Sequence, residues 1–109
     1  MTKDQLPALA EAVARAIEAG KAAAEAAPDD GGSANLDRVY IRVGLLREST
    51  MDKAGITGWM QAATTYHARA FHLSVPFGGQ GNRRYAGVQA MYKSLKAEDI
   101  DCGVWYQMD

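Results

Sequence analysis

Apolar residues near the start of the chain recur at steps of three and four positions. Within the alanine-rich segment 5–27 they are Leu6, Leu9, Val13 and Ile17. This spacing is the period of one helix face. The charged residues of the segment fall on the other faces, so we expect an amphipathic helix that packs as an arm against another helix or a second subunit.

After residue 37 the helical period gives way to alternation. Residues 38–46 alternate an aliphatic set, Val39, Ile41 and Val43, with a polar set, Arg38, Tyr40 and Arg42. Alternation of this kind predicts a half-buried strand whose aliphatic side faces the core. The other side would place two arginines beside a tyrosine, a surface suited to a planar or phosphorylated group. A solvated face packed under the N-terminal helix is the alternative.

Strand-like and helix-like segments continue to alternate through the rest of the chain. The first strand is followed by a helix from residue 50, a strand over 64–73, a helix from residue 82 and a strand over 100–106. Residues 64–73 also fit a continuation of the helix before them, but their threonines and their polar–apolar alternation favour a strand. The predicted fold is therefore α/β (or α+β): an N-terminal helix followed by a βαβαβ unit with a small, mixed three-stranded sheet.

The chain matches itself when it is shifted by 32 residues. Residues 39–43 then lie over 71–75, and residues 54–56 lie over 86–88. True duplication and chance similarity of two short amphipathic units explain this match equally well. If the units are equivalent, the loops 44–52 and 76–84 occupy matching places after a strand. Ligands of α/β sheets bind at such strand ends, so we expect the two loops to converge.

Length and composition favour one domain. The 109 residues, 48% of them hydrophobic, suffice for a single small core. We assign residues 1–27 to the helical arm, 28–37 to a turn and linker, and 38–109 to the α/β core. The single cysteine, Cys102, excludes an internal disulfide and a CxxC metal site. Without an apolar span or a leader-like start, we expect a cytoplasmic protein with no membrane contact.

Charge is segregated along the chain although its total is only −1. Residues 1–37 carry three Lys/Arg against seven acids, a net −4, and residues 97–109 carry four acids without a Lys or Arg. Residues 38–96 carry nine Lys/Arg against two acids, a net +7. We call this middle part the basic block. It indicates either an anionic partner or self-association of acidic and basic parts.

A glycine-rich turn within the basic block leads into a helix that begins with two arginines. Main-chain N–H groups at a glycine turn and a helix start can hold a phosphate. The turn does not match a Walker A or a GxGxxG sequence, so the adjoining arginines carry the prediction. Together with the first strand and its loop, the predicted ligand-binding residues are Tyr40, Arg42, Arg47, Gly79, Gly81, Asn82, Arg83, Arg84 and Tyr85.

Catalysis finds little support in the sequence. His72 and Ser74 resemble one half of the His-x-Ser/Thr pair of 2H phosphoesterases, a family that needs two such pairs. The matching positions in the other unit, residues 40–42, contain neither a histidine nor a hydroxyl amino acid at the required places, so a general acid and base are not both present. Two histidines without nearby acids also argue against a metal site. We therefore predict no catalytic residues, no metal and no cofactor.

The alanine-rich helix, the turn Asp30-Gly31-Gly32-Ser33-Ala34-Asn35-Leu36-Asp37 and the following Val-Tyr-Ile strand carry a family resemblance. Over residues 5–43 the chain resembles small phage-encoded accessory proteins, including those that sequester cyclic nucleotide signals of bacterial immunity. The resemblance implies an oligomeric sponge that binds a nucleotide-derived signal tightly without turning it over.

These observations predict a small, non-catalytic, homo-oligomeric protein that sequesters a phosphorylated, nucleotide-like small molecule, as in phage counter-defence. Two alternatives stay open. The first is a nucleic-acid-binding accessory protein that uses the basic block, with an affinity that falls steeply with salt. The second is a protein-interaction module that inhibits a host enzyme, which no small ligand would stabilise.

Overall fold

The computed structural model describes residues 1–28, 36–77 and 81–106. A 3-10 turn, Lys3–Gln5, leads into the first helix. The helices and strands that follow are α1 Leu6–Ala26, β1 Arg38–Ile41, α2 Glu48–Lys53, β2 Gly58–Gln61, β3 Ala70–Leu73, α3 Asn82–Ala97 and β4 Cys102–Trp105. The mixed α/β class and its N-terminal helix are thereby confirmed.

The strands form one sheet in the order β2-β3-β1-β4, with every neighbouring pair antiparallel. It has one strand more than the sequence predicted, and its pairing is antiparallel rather than mixed. The added strand arises because α2 ends early. Gly55, at φ 82°, turns the chain, and Ile56 N–H donates to the Met51 carbonyl, a Schellman-type helix end. Residues 58–61 are therefore free to extend along β3.

The helices α1 and α3 pack together and cover one face of the sheet. The predicted inward residues of β1, Val39, Ile41 and Val43, are buried, together with apolar residues of β3 and α3. Leu9 and Val13 of α1 belong to the same core. The stripe that the sequence assigned to an arm is thus covered within the chain's own core.

The helices α1 and α3 approach each other closely at Gly20 and Gly87. A side chain at Gly20 would place its Cβ 2.6 Å from Met91 Cγ, and the Phe77 ring lies against both Gly20 and Gly87. Glycine is therefore required at this crossing. Phe77 comes shortly after β3, so its ring ties the residues that follow this strand to both helices.

The two units of the internal match differ in structure. Residues 54–56 form the turn after α2, whereas residues 86–88 lie inside α3. Because β1 and β3 are antiparallel neighbours, the chain leaves them at opposite ends of the sheet. The loops 44–52 and 76–84 therefore do not converge, contrary to our expectation from the sequence.

The structure also describes the predicted strand 64–73 and the length of the helices. Residues 70–73 form a strand, as favoured over helix, while residues 62–69 connect β2 to β3. We call residues 62–69 the β2–β3 connection. Among the described ranges, no helix is both long and apolar enough to cross a membrane.

Candidate functional site

The face of the sheet opposite the helices carries a cluster of aromatic side chains. Trp59, His72 and Tyr40 lie in one cross-strand row on β2, β3 and β1, and Gly103 of β4 completes the row. A Cβ at Gly103 would lie 2.5 Å from Tyr40 Oη, so this glycine makes room for the tyrosine ring above β4. We call Arg38, Tyr40, Trp59, His72 and Trp105 the aromatic face.

Arg38 joins the two tryptophans of this face. Its guanidinium carbon is 5.2 Å from the centre of the Trp59 ring and 5.5 Å from the centre of the Trp105 ring. Both distances are within the range of cation–π attraction. Arg38 Nε also donates to His72 Nδ1 at 2.7 Å, and Nη1 donates to the Leu36 carbonyl at 3.3 Å. These contacts hold the guanidinium group in one place between the strands that carry the indoles.

His72 lies beneath the other rings, with only 1% of the residue exposed. Its ring stacks on Tyr40 with the centres 5.7 Å apart and lies 5.2 Å from the Trp105 ring. Burial, the Arg38 charge and His67 together lower the pKa of His72 from 6.5 to about 4. The ring is neutral at neutral pH. Since Nδ1 accepts from Arg38, the proton resides on Nε2.

The outer surface of the aromatic face is only partly covered. Trp59 is 39% exposed and Trp105 is partly exposed. His67, from the β2–β3 connection, places its ring 4.6 Å from the Trp105 ring. Trp59 and Trp105 were not among the site residues predicted from the sequence. The sequence feature that could have identified them is a tryptophan that alternates with small or aliphatic residues in each strand.

The basic start of α3 adjoins this face. Arg84 Nε donates to the carbonyl of Asp37 at 2.9 Å, which ties the first turn of α3 to the residue before Arg38. Burial lowers the pKa of Arg84, although Asp37 opposes the shift. The pKa of Arg38 is lowered by burial and then by the charge of Arg84. The two guanidinium groups are therefore close enough to interact, and the buried Asp37 beside them opposes the lowering of the pKa of both.

The remaining predicted residues of this region surround the start of α3. Gly81 precedes the helix with φ 58°, and its carbonyl accepts from Tyr85 N–H at 3.1 Å. Within the described part of the chain, Arg83 Nε is buried without a hydrogen-bond partner. Asn82 is exposed and Tyr85 is 50% exposed. Gly79 lies outside the described residues.

Arg42 and Arg47 lie at the other end of β1. Arg42 is four positions beyond Arg38 along the strand, a distance of about 13 Å. Arg42 Nη1 lies 2.7 Å from Asp101 Oδ1, and this contact raises the pKa of Arg42. Arg42 also contacts the aromatic face: Nη2 donates to Tyr40 Oη at 3.1 Å, and the guanidinium carbon lies 5.1 Å from the centre of the Tyr40 ring. Arg47 is exposed just before α2. The predicted cationic residues therefore lie at the two ends of β1, and Arg42 already has a carboxylate partner.

A cleft lies on the other side of Arg42 from Tyr40 of the aromatic face. It has a volume of about 620 Å³ and lies between the start of α1 and the turn from α3 to β4. Its charged lining residues are Asp4, Glu11, Arg15, Arg42, Glu98, Asp99 and Asp101. Both arginines are paired with carboxylates of the lining. An excess of acids makes the cleft unsuitable for a phosphate.

Metal binding and relatedness give no independent indication of function. Within residues 1–28, 36–77 and 81–106, no group of three or more His, Cys, Asp or Glu is placed to hold a metal ion. Comparison with known proteins found no matching protein family, no similar curated protein and no similar solved structure. The function is therefore inferred from the arrangement of the residues themselves.

Proposed function

We propose that the protein binds a phosphorylated ligand of nucleotide type on the aromatic face and performs no chemistry on it. The observation that carries this proposal is the position of Arg38 between Trp59 and Trp105, next to Arg84. A nucleotide combines a planar base with an anionic group. The site offers indoles for the base and guanidinium groups for the phosphate.

The chemistry of the neighbouring groups supports an anion at this position. Burial disfavours the charges of Arg38 and Arg84, and the charge of Arg84 lowers the pKa of Arg38 further. Asp37 opposes these shifts, but two cations beside one acid leave a net positive charge that a phosphate would balance. Arg83 Nε, buried and unpartnered among the described residues, is a donor that a phosphate oxygen could satisfy. The start of α3 adds main-chain N–H groups.

The proposed site keeps part of the set predicted from the sequence and extends it. The retained residues are Tyr40, Gly81, Asn82, Arg83, Arg84 and Tyr85, and the added ones are Arg38, Trp59 and Trp105. Arg42 contacts Tyr40 but is left out because Asp101 already pairs its charge. Arg47 is left out because it follows β1 at the end away from Arg38. No catalytic role is assigned to His72, since its Nδ1 is engaged with Arg38 and its ring is buried.

Within this proposal the protein is a cytoplasmic homo-oligomer that sequesters its ligand. The acidic cleft and the basic block are complementary in charge, which supports self-association. The resemblance over residues 5–43 suggests a phage counter-defence setting, in which the ligand is an immune signal. Native mass spectrometry of the purified protein would report the subunit number and any co-purified ligand. An empty monomer would contradict the oligomeric sponge.

Ligand-induced thermal stabilisation tests the binding site directly. We expect purine and pyrimidine nucleotides to raise the melting temperature of the wild type, because they bind only the folded chain. Arg84→Ala, which removes one of the two adjacent guanidinium groups, should reduce that shift strongly.

Lys93→Ala is the matched control, since it removes an exposed cation from the middle of α3. It should keep the wild-type shift. If Arg84→Ala and the wild type are stabilised equally, the site is elsewhere. If neither a nucleotide nor an oligonucleotide stabilises the wild type, the proposed function is wrong, and a protein-interaction module becomes the better account.

A further inference from the structure

We propose that the nucleotide-type ligand is a single-stranded oligonucleotide that lies across the aromatic face. This inference rests on the proposed function and specifies its ligand class. The reasons are the shape of the face, the number of its stacking positions and the placement of its charge.

The aromatic face is a sheet surface and not a pocket. Sites for free mononucleotides and other small ligands are concave and bury most of the ligand. The Trp59–His72–Tyr40 row runs across the strands, and α1 and α3 pack on the opposite face of the sheet. A cleft large enough for a small ligand lies near α1, and its lining is acidic. An open surface gains affinity by contacting several linked units of a ligand.

Two indoles on this surface can stack on bases, Trp59 directly and Trp105 after the His67 ring moves off it. Trp59 belongs to β2 and Trp105 to β4, the two edge strands of the sheet. Both indoles contact Arg38, so their ring centres are separated by no more than the sum of 5.2 and 5.5 Å. Successive bases of one strand can each stack on a different indole. Four-stranded sheets that bind RNA use surface aromatics in this way.

The charge next to the stacking positions suits a phosphate backbone. Arg38 lies between the indoles, and Arg84 extends the positive charge towards the start of α3. Both belong to the basic block, which carries a net +7. Binding through such contacts releases counterions, so affinity should fall with added salt.

A single strand fits this face better than a duplex. The indoles lie on the sheet surface and offer planar rings, which require bases that are unstacked and turned outward. In a duplex the bases are already stacked on each other, and only their edges are accessible. A duplex could therefore use the arginines but not Trp59 or Trp105.

The chain contains two tryptophans, and both belong to the aromatic face. Intrinsic tryptophan fluorescence is consequently a reporter of this site. We would titrate the wild type with AMP, a dinucleotide, oligoadenylates of increasing length and a duplex, at low and high salt. We expect quenching by the single strands, with an affinity that rises at least about tenfold from AMP to the oligomers and falls with salt.

Substitution of each indole provides the second arm. Trp59→Leu and Trp105→Leu keep an apolar side chain, and each should weaken binding of a fluorescently labelled oligoadenylate by roughly 5- to 150-fold, the range of one base–aromatic stack. Tyr66→Leu is the matched control, because Tyr66 is an aromatic on the β2–β3 connection that is 89% exposed. It should bind as the wild type does.

The outcomes separate this inference from the proposed function. If AMP binds as tightly as the oligomers, the ligand is a mononucleotide, and the inference fails while the proposed function stands. If the duplex binds more tightly than the single strand, the inference also fails. If nothing in the series binds the wild type, both fail. The length series uses the unmodified chain, so it decides the matter even where a leucine variant does not fold.

Discussion

His72 shows how one residue determines the electrostatics of the aromatic face. It accepts a hydrogen bond from Arg38 Nε and lies under Tyr40 and Trp105. Protonation of Nδ1 would abolish that acceptor and place a second cation against Arg38. The face therefore keeps this arrangement only while the imidazole is neutral, which explains why burial and Arg38 lower its pKa together.

The pH dependence of stability follows from this lowered pKa. The folded chain releases the His72 proton at a pKa of about 4 and the unfolded chain at 6.5. Between these values the unfolded state binds more protons, so the free energy of unfolding should fall as the pH decreases from 6.5 towards 4. Urea denaturation at several pH values between 4 and 6.5 measures this decrease in the free energy of unfolding.

His72→Asn supplies the comparison for that measurement, since the amide oxygen can still accept from Arg38 but does not titrate. The stability of His72→Asn at neutral pH can differ from that of the wild type, but the contribution of His72 to the slope of unfolding free energy against pH should vanish. His67→Asn, which changes the exposed histidine, should keep that contribution. Equal slopes for the wild type and His72→Asn would show that His72 is not the titrating group.

At the scale of elements, the β2–β3 connection limits access to the aromatic face. Residues 62–68 are exposed, and within them Thr64 organises a tight turn by accepting from the N–H groups of Tyr66 and His67. His67 then places its ring against Trp105. The histidine occupies stacking surface that a base would use.

Removal of the His67 ring should therefore strengthen binding of an oligonucleotide to the aromatic face. For His67→Ala we expect affinity for an oligoadenylate to rise roughly two- to tenfold, the equivalent of one aromatic contact. Tryptophan quenching titrations measure it, with Tyr66→Ala as the control on the same connection. Weaker binding by His67→Ala would indicate that His67 contacts the ligand itself and does not compete with it.

The elements also show where sequence patterns suffice and where they fail. The period of α1 extends over five turns, so its ends were predicted within one residue, and the two faces of β1 followed from alternation. The strand β2 was missed because Trp59 continues the spacing of the preceding helix. The end of α2 depends on the positive φ of Gly55, and the strand depends on pairing with β3. The spacing of apolar residues in the sequence shows neither.

Local sequence patterns also fail to predict which residues meet at the candidate site. Arg83 and Arg84 were correctly placed at the start of α3, but their expected neighbours Arg42 and Arg47 lie at the opposite end of β1. The separation of these two pairs of arginines follows from the antiparallel pairing of β1 with β3. Trp59 and Trp105 are 46 positions apart and meet through Arg38 only because of the strand order. Strand order and register are long-range properties, which a single sequence does not encode in its periodicity.

At the scale of the whole molecule, charge and aromatic surface are distributed unevenly. Helices cover one face of the sheet, and the other carries indoles and arginines. Five acidic residues line the cleft between α1 and the turn before β4: Asp4, Glu11, Glu98, Asp99 and Asp101. The molecule thus presents a cationic stacking surface and a separate acidic one. Only the first suits an anionic, base-bearing ligand.

The central claim is that a nucleotide-type ligand contacts the aromatic face. The most direct measurement is a ¹H–¹⁵N NMR titration with AMP and an oligoadenylate, followed through the two indole N–H signals, one from each tryptophan. We predict that both signals shift saturably, together with the amides around Arg38 and Arg84, while the amide of Arg47 moves little. Unchanged indole signals at saturating ligand would contradict the account.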